Sequence, residues 1–156
     1  MARTRRARLA DVHDLAIAMP DVAVTYGPAG NPIYRVGSRS FIFFRTRHDH
    51  GIGRGPDVVD PKTGERYNDL IVFSVQSEHA KQALIADPAV PFFSTPHFNG
   101  HLSVLIRGSR IGELSYQELS EVIEEAWLSR ASASRRREWL ARSEASTRTA
   151  ARARRG

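Results

Sequence analysis

Residues 92–127, FFSTPHFNGHLSVLIRGSRIGELSYQELSEVIEEAW, constrain the fold more than any other stretch, because their punctuation leaves the backbone little choice. An aromatic segment interrupted by Pro96 runs into Asn99-Gly100, a dipeptide that favours a tight turn. Leu102 to Ile106 follows as an apolar run of strand length. Ser115-Tyr116-Gln117-Glu118 then forms a capping box, in which the Ser hydroxyl and the Glu carboxylate each take a backbone N–H at a helix start. The helix it opens carries Leu119, Val122, Ile123, Ala126 and Trp127 along one apolar stripe.

The preceding residues supply further elements. Leu9, Val12, Leu15, Ala16 and Met19 recur at helical spacing, and Pro20 stops the helix because it lacks an N–H and restricts Met19, which predicts a helix over 9–18. Val22 to Tyr26 is a short extended piece, and Gly27 to Pro32 is turn chemistry. Ile33–Val36 and Ser40–Arg45, separated by Gly37-Ser38-Arg39, read as a β-hairpin. Whether Gly37-Ser38 or Ser38-Arg39 forms its turn, side-chain parity puts Tyr34, Val36, Phe41, Phe43 and Arg45 on one face and Ile33, Arg35, Ser40, Ile42 and Phe44 on the other. A long connection over 46–68 contains short segments, Val58-Val59 and Arg66-Tyr67, that suit a small second wing. Leu70 to Val75 is apolar at both parities, as a central strand covered on both faces would be. Ser77 caps the next helix, with Ala80, Ala83 and Leu84 on one face and Pro88 beyond its end. After Ser129 the composition turns to Ala, Ser and Arg, which suits either a helix anchored by Trp139 and Leu140 or a disordered basic tail.

These elements in this order resemble the MmcQ/YjbR family. The likeness rests on Ala18-Met19-Pro20-Asp21-Val22, on the hairpin strands Ile33–Gly37 and Phe41–Phe44, on Leu70–Val75, and on Thr95, Pro96, Asn99, Gly100 and His101; it spans roughly residues 9 to 131. The resemblance implies a double-wing domain of a kind described as DNA-binding, and it brings no catalytic motif. The expected architecture is α+β: a single domain with a mainly antiparallel sheet and a hairpin wing packed against about three helices, with basic tails at both ends. The divisions are a basic arm over 1–8, the domain over 9–131 and an Arg-rich tail over 132–156.

Length and charge narrow the function. A chain of 156 residues suffices for one domain with a real core. Its longest apolar runs fall well short of the roughly 20 residues that a bilayer span requires. Arg3, Arg5, Arg6 and Arg8 precede no apolar signal region, because Asp11, His13 and Asp14 interrupt Leu9–Met19, so a cytoplasmic location without membrane partners is expected. There is no cysteine, which removes disulfides, thiol nucleophiles and thiolate metal sites. The net charge of +6 is segregated: residues 1–8 and 130–156 together carry +11, so residues 9–129 carry −5. Basic ends of this kind suit salt-sensitive contact with phosphates.

No Gly-x-Ser-x-Gly elbow, P-loop or dinucleotide fingerprint is present, and the expectation is a non-enzymatic protein without cofactor or metal. His48-Asp49-His50 has metal-ligand residue types but sits among Gly51, Gly53 and Gly55, which suits an exposed polar loop better than a rigid site. His101 reads as a hydrogen-bonded structural residue at a strand entry, and Glu118, Glu121, Glu124 and Glu125 as a solvated helix face. The candidate nucleic-acid contacts are Arg35, Arg39, Arg45 and Arg47 around the hairpin, Arg107 and Arg110 after the last strand, and Arg135, Arg136 and Arg137 in the tail. The expected partner is DNA. The alternative is a small-molecule or protein-binding module built on the aromatic turn Phe92–His101 and the adjacent sheet, with Phe93, His97, Phe98, Asn99 and His101 as its contacts.

Overall fold

A computed structural model describes residues 5–27, 30–46 and 67–155. Five strands form one antiparallel sheet in sequence order: β1 (Val22–Tyr26), β2 (Pro32–Val36), β3 (Arg39–Thr46), β4 (Asp69–Ser74) and β5 (Ser103–Arg107). Among the described residues four α-helices accompany it: α1 (Leu9–Ala18), α2 (Glu78–Ala86), α3 (Tyr116–Arg130) and α4 (Ala133–Arg155). One turn of 3₁₀ helix spans Pro96–Phe98, and a longer one spans Gly108–Glu113. The expected α+β architecture is present, and the helix boundaries fall where the caps and prolines placed them. Ser77 Oγ accepts from Ala80 N at 3.1 Å; Ser115 Oγ accepts from Glu118 N at 3.0 Å while Glu118 Oε1 accepts from Ser115 N at 2.8 Å.

The hairpin departs from both expected registers. Gly37, at φ +61°, occupies the first central position of a two-residue turn, and Val36 and Arg35 pair with Arg39 and Ser40. A bulge then shifts the pairing, so Tyr34 faces Ile42 and Ile33 faces Phe43. The extra residue turns Phe41 and Ile42 inward together, and both are fully buried. Parity past the bulge is therefore reversed: Ile42 and Phe44 lie on the core face with Tyr34 and Val36, while Phe43 and Arg45 lie on the opposite face with Ser40.

α1 and α3 cover the core face, burying Val12, Ala16, Leu119, Ile123, Ala126 and Trp127 against Ile42, Ile71, Phe73, Val104 and Ile106. Trp127 is fully buried, and its Nε1 donates to Pro20 O at 2.9 Å, tying α3 to the exit of α1. The opposite face carries a smaller cluster, in which Phe98 and Tyr67 cover Leu70, Val72 and Leu105 with Phe43 and Phe93 alongside. β4 is thus apolar on both sides, as its sequence predicts. The proposed second wing at Val58-Val59 and Arg66, together with Arg47, His48, Asp49 and His50, lies outside the described residues.

The two chain ends differ in how they meet this body. Residues 5–8 run along it: Ala7 N donates to Leu114 O at 2.9 Å and Tyr116 N to Arg5 O at 2.7 Å. Arg5 forks onto Asp11 with both contacts at 2.7 Å. The C-terminal segment is helical from Ala133 to Arg155 and buries no residue. Its anchor is Trp139, whose ring lies 6.1 Å from that of Trp127, assisted by Arg135 on Asp21 at 3.1 Å.

Candidate functional site

The sheet face opposite α1 and α3 holds a cleft of about 470 Å³ near the hairpin turn. Arg39 and Ser40 from the start of β3, Phe43 and Arg45 further along it, Ser74 from the end of β4, Ser103 from the start of β5, Phe98 and His101 from the aromatic turn, and Arg130 from the last turn of α3 line it. The bulge at Phe41 is what delivers Phe43 and Arg45 to this face. Ser74 and Ser103 are direct neighbours across β4 and β5, so two hydroxyls meet on one side of the ladder.

Most cleft groups are held from behind. Arg130 Nε donates to Ser74 Oγ at 3.1 Å, and the Arg45 guanidinium lies 5.8 Å from the Phe98 ring centroid, within cation–π range. The Phe98 and His101 rings meet edge to face at 5.9 Å. Their backbone carbonyls each accept a 2.7 Å hydrogen bond from Lys81 Nζ, on a lysine only 1% exposed. An ammonium buried at that depth needs such partners, and here it pins the wall of the cleft. The Ser40 and Ser103 hydroxyls, by contrast, are buried without a partner among the described residues.

The candidate residues divide according to how their charge is used. Arg39 and Arg45 line the cleft. Arg35 lies on the same face, donating to Thr25 Oγ1 at 3.0 Å and Ser38 O at 3.3 Å. Arg107 sits at the far end of β5, bound to Asp69 at 3.0 Å and stacked 5.1 Å from the Tyr67 ring centroid. Burial would raise the Asp69 pKa, but the Ser109 amide and Arg107 together hold it below its ordinary value. Arg110 pairs with Glu113. Arg135 holds Asp21, Arg136 reaches Gln76 Oε1 at 3.4 Å, and Arg137 is exposed on α4. A Cβ on Gly37 would lie 3.1 Å from Arg135 Nη1, so the first turn of α4 abuts the hairpin turn.

The aromatic-turn candidates separate in the same way. Phe98 and His101 line the cleft. Phe93 makes a two-way backbone bridge to Leu105 at 2.9 Å and packs on Tyr67, while Asn99 Oδ1 accepts from Ser94 Oγ at 3.3 Å. His97 lies in the 3₁₀ turn. The sequence reading missed Ser40, Ser74, Ser103, Lys81 and the cleft-facing role of Arg130. Polar residues closing the apolar runs of β4 and β5 were the available signal for two of them.

A second cleft, about 430 Å³, opens between α2 and α3 over Val75, Leu84, Val90, Phe92, Leu114 and Val122. Asp87, Glu118, Glu121 and Glu125 also line it. Glu124, on the same helix, has its pKa raised by burial and by Glu121 and Glu125. Carboxylates thus gather in the helical layer, while the cleft arginines occupy the opposite side of the sheet.

No family model matches the chain, and no solved structure matches it. Proteins of Mycobacterium bovis and Mycobacterium tuberculosis, each named only as uncharacterized, are 43% identical to it over 63 residues, 40% of this chain and 46% of theirs. The chain spans less than half the length of these curated relatives. Among the described residues no helix is long and apolar enough to cross a membrane.

Proposed function

We propose that this protein is a non-enzymatic binder of nucleic acid, most simply duplex DNA, which it grips through phosphates from the arginine-lined face of its sheet and from α4. The carrying observation is the adjacency of Arg39, Arg45 and Arg130 in one cleft to Arg135, where a 23-residue helix with eight arginines begins. A body of net negative charge would ordinarily repel a duplex, yet its glutamates on α3 lie on the other side of the sheet, so a duplex on the cleft side meets cations first. The MmcQ/YjbR resemblance supports the same reading and belongs to the proposal.

The test is anisotropy titration of a labelled duplex across a salt series. Neutralising about six phosphates gives a slope of log affinity against log salt near −5. Absence of binding at low salt would remove the proposal.

A second reading, a module for a small molecule or protein, draws on the acid-lined apolar cleft between α2 and α3, which suits a cationic amphipathic ligand. Glu121→Lys combined with Glu125→Lys would abolish such binding and leave duplex affinity undiminished.

A further inference from the structure

We propose that the Arg39–Arg45–Arg130 cleft is a seat for a phosphate monoester, and that it takes the phosphorylated end of a nucleic-acid strand in preference to an internal phosphodiester. The choice of source rests on the nucleic-acid reading above; the phosphate chemistry rests on the cleft itself.

Buried hydroxyls without partners are uncommon because they forfeit the hydrogen bonds that water gave them. Ser103 is 7% exposed with an orphaned Oγ, and Ser40, on β3, has a second orphaned Oγ. Both belong to residues lining the same cleft. A serine hydroxyl re-aims by one χ1 rotation, so each can turn toward a ligand. Ser74 adds a third: its oxygen accepts from Arg130 Nε, which leaves its own proton to donate. Three serines and three arginines therefore line one cleft, and no carboxylate is among its lining residues.

The donor set separates monoester from diester. Ser40, Ser74 and Ser103 line the cleft together with Phe43, Phe98 and His101, and Lys81 fixes the backbone of the last two through their carbonyls. Internal phosphates of a duplex sit on a ridge with a nucleoside on each side and present two free oxygens. A terminal phosphate projects, carries close to two negative charges near neutral pH and offers three acceptor oxygens. It alone matches the number of donors. Hydrogen bonds from guanidinium groups to such an anion are charge-assisted and so among the stronger kind.

Full-length protein would be titrated at low salt with labelled 12-nucleotide single strands and the corresponding duplexes carrying 5′-phosphate, 3′-phosphate or hydroxyl ends, with adenosine monophosphate as competitor. One phosphorylated end is expected to bind about tenfold more tightly than its hydroxyl counterpart, the gain of roughly one charge-assisted hydrogen bond. Arg45→Gln and Ser103→Ala are each expected to bring that ratio to near one. Ser103→Ala should melt no lower than wild type, because it removes an orphaned hydroxyl, and this separates lost recognition from lost folding. Deletion of residues 140–156 should weaken every oligonucleotide and preserve the ratio. If adenosine monophosphate binds in an Arg45- and Ser103-dependent way while no oligonucleotide does, the phosphomonoester seat stands with a free nucleotide as its source, and the nucleic-acid reading fails. A ratio near one in wild type, with the monophosphate inert and duplex still bound, overturns the seat and leaves the nucleic-acid reading intact. No binding of any probe overturns both.

Discussion

Lys81 and Asp11 show how single buried charges organise this protein. Lys81 is one of two lysines in the chain and is spent on two carbonyls of the aromatic turn. Lys81→Ala should lower stability by about 2 kcal/mol or more, since it orphans both acceptors and opens a cavity. Urea unfolding checks this, and an unchanged midpoint would mean that water replaces the ammonium without loss. Asp11 has its pKa lowered to about 2, chiefly by the Arg5 fork, with the Arg8 amide helping against the cost of burial. A carboxyl whose folded pKa lies below its unfolded one stabilises the fold above the unfolded value and ceases to do so as pH falls through the folded value. Melting temperature should accordingly fall between about pH 4 and pH 2 through this group. Asp11→Asn should remove that part of the acid sensitivity at a cost in stability near neutral pH.

Among the elements, α4 depends least on the body. Its exposed length beyond Trp139 has helix-favouring Ala and Arg but no buried residue, so its amides should exchange orders of magnitude faster than those of β4. Duplex DNA should slow exchange across 140–155 and leave β4 unchanged, and hydrogen exchange by mass spectrometry reads both. Helix ends were legible in the sequence because caps and prolines act locally: Pro20, Ser77 and Ser115 each mark a boundary within a residue or two of where it falls. The two-sided burial of β4 was legible for a similar reason, being written in six consecutive residues. The bulge at Phe41 was not, because alternation along β3 alone cannot report a shift in pairing to β2. That single shift moved Phe43 and Arg45 to the cleft face. Arg130 lies in the Ala-, Ser- and Arg-rich stretch that begins after Ser129, where nothing local marks it out, and only the packing of α3 on the sheet brings it to Ser74.

At the scale of the whole molecule, the sheet separates two charge environments. Glutamates of α3 and Asp87 border an apolar cleft on the helical side; Arg39 and Arg45 of β3 and Arg130 of α3 line the cleft on the other face, and Arg135 of α4 abuts the hairpin turn. Under the proposed function, this arrangement would let a chain with a net-negative middle bind polyanions without its basic ends doing all the work. The most direct check is the salt dependence of duplex binding in wild type and in Arg39→Gln/Arg45→Gln. The wild-type slope should lie near −5, and removing two phosphate contacts should reduce its magnitude by about two. A double variant with the wild-type slope and affinity would contradict the account, because binding would then belong to the tails alone.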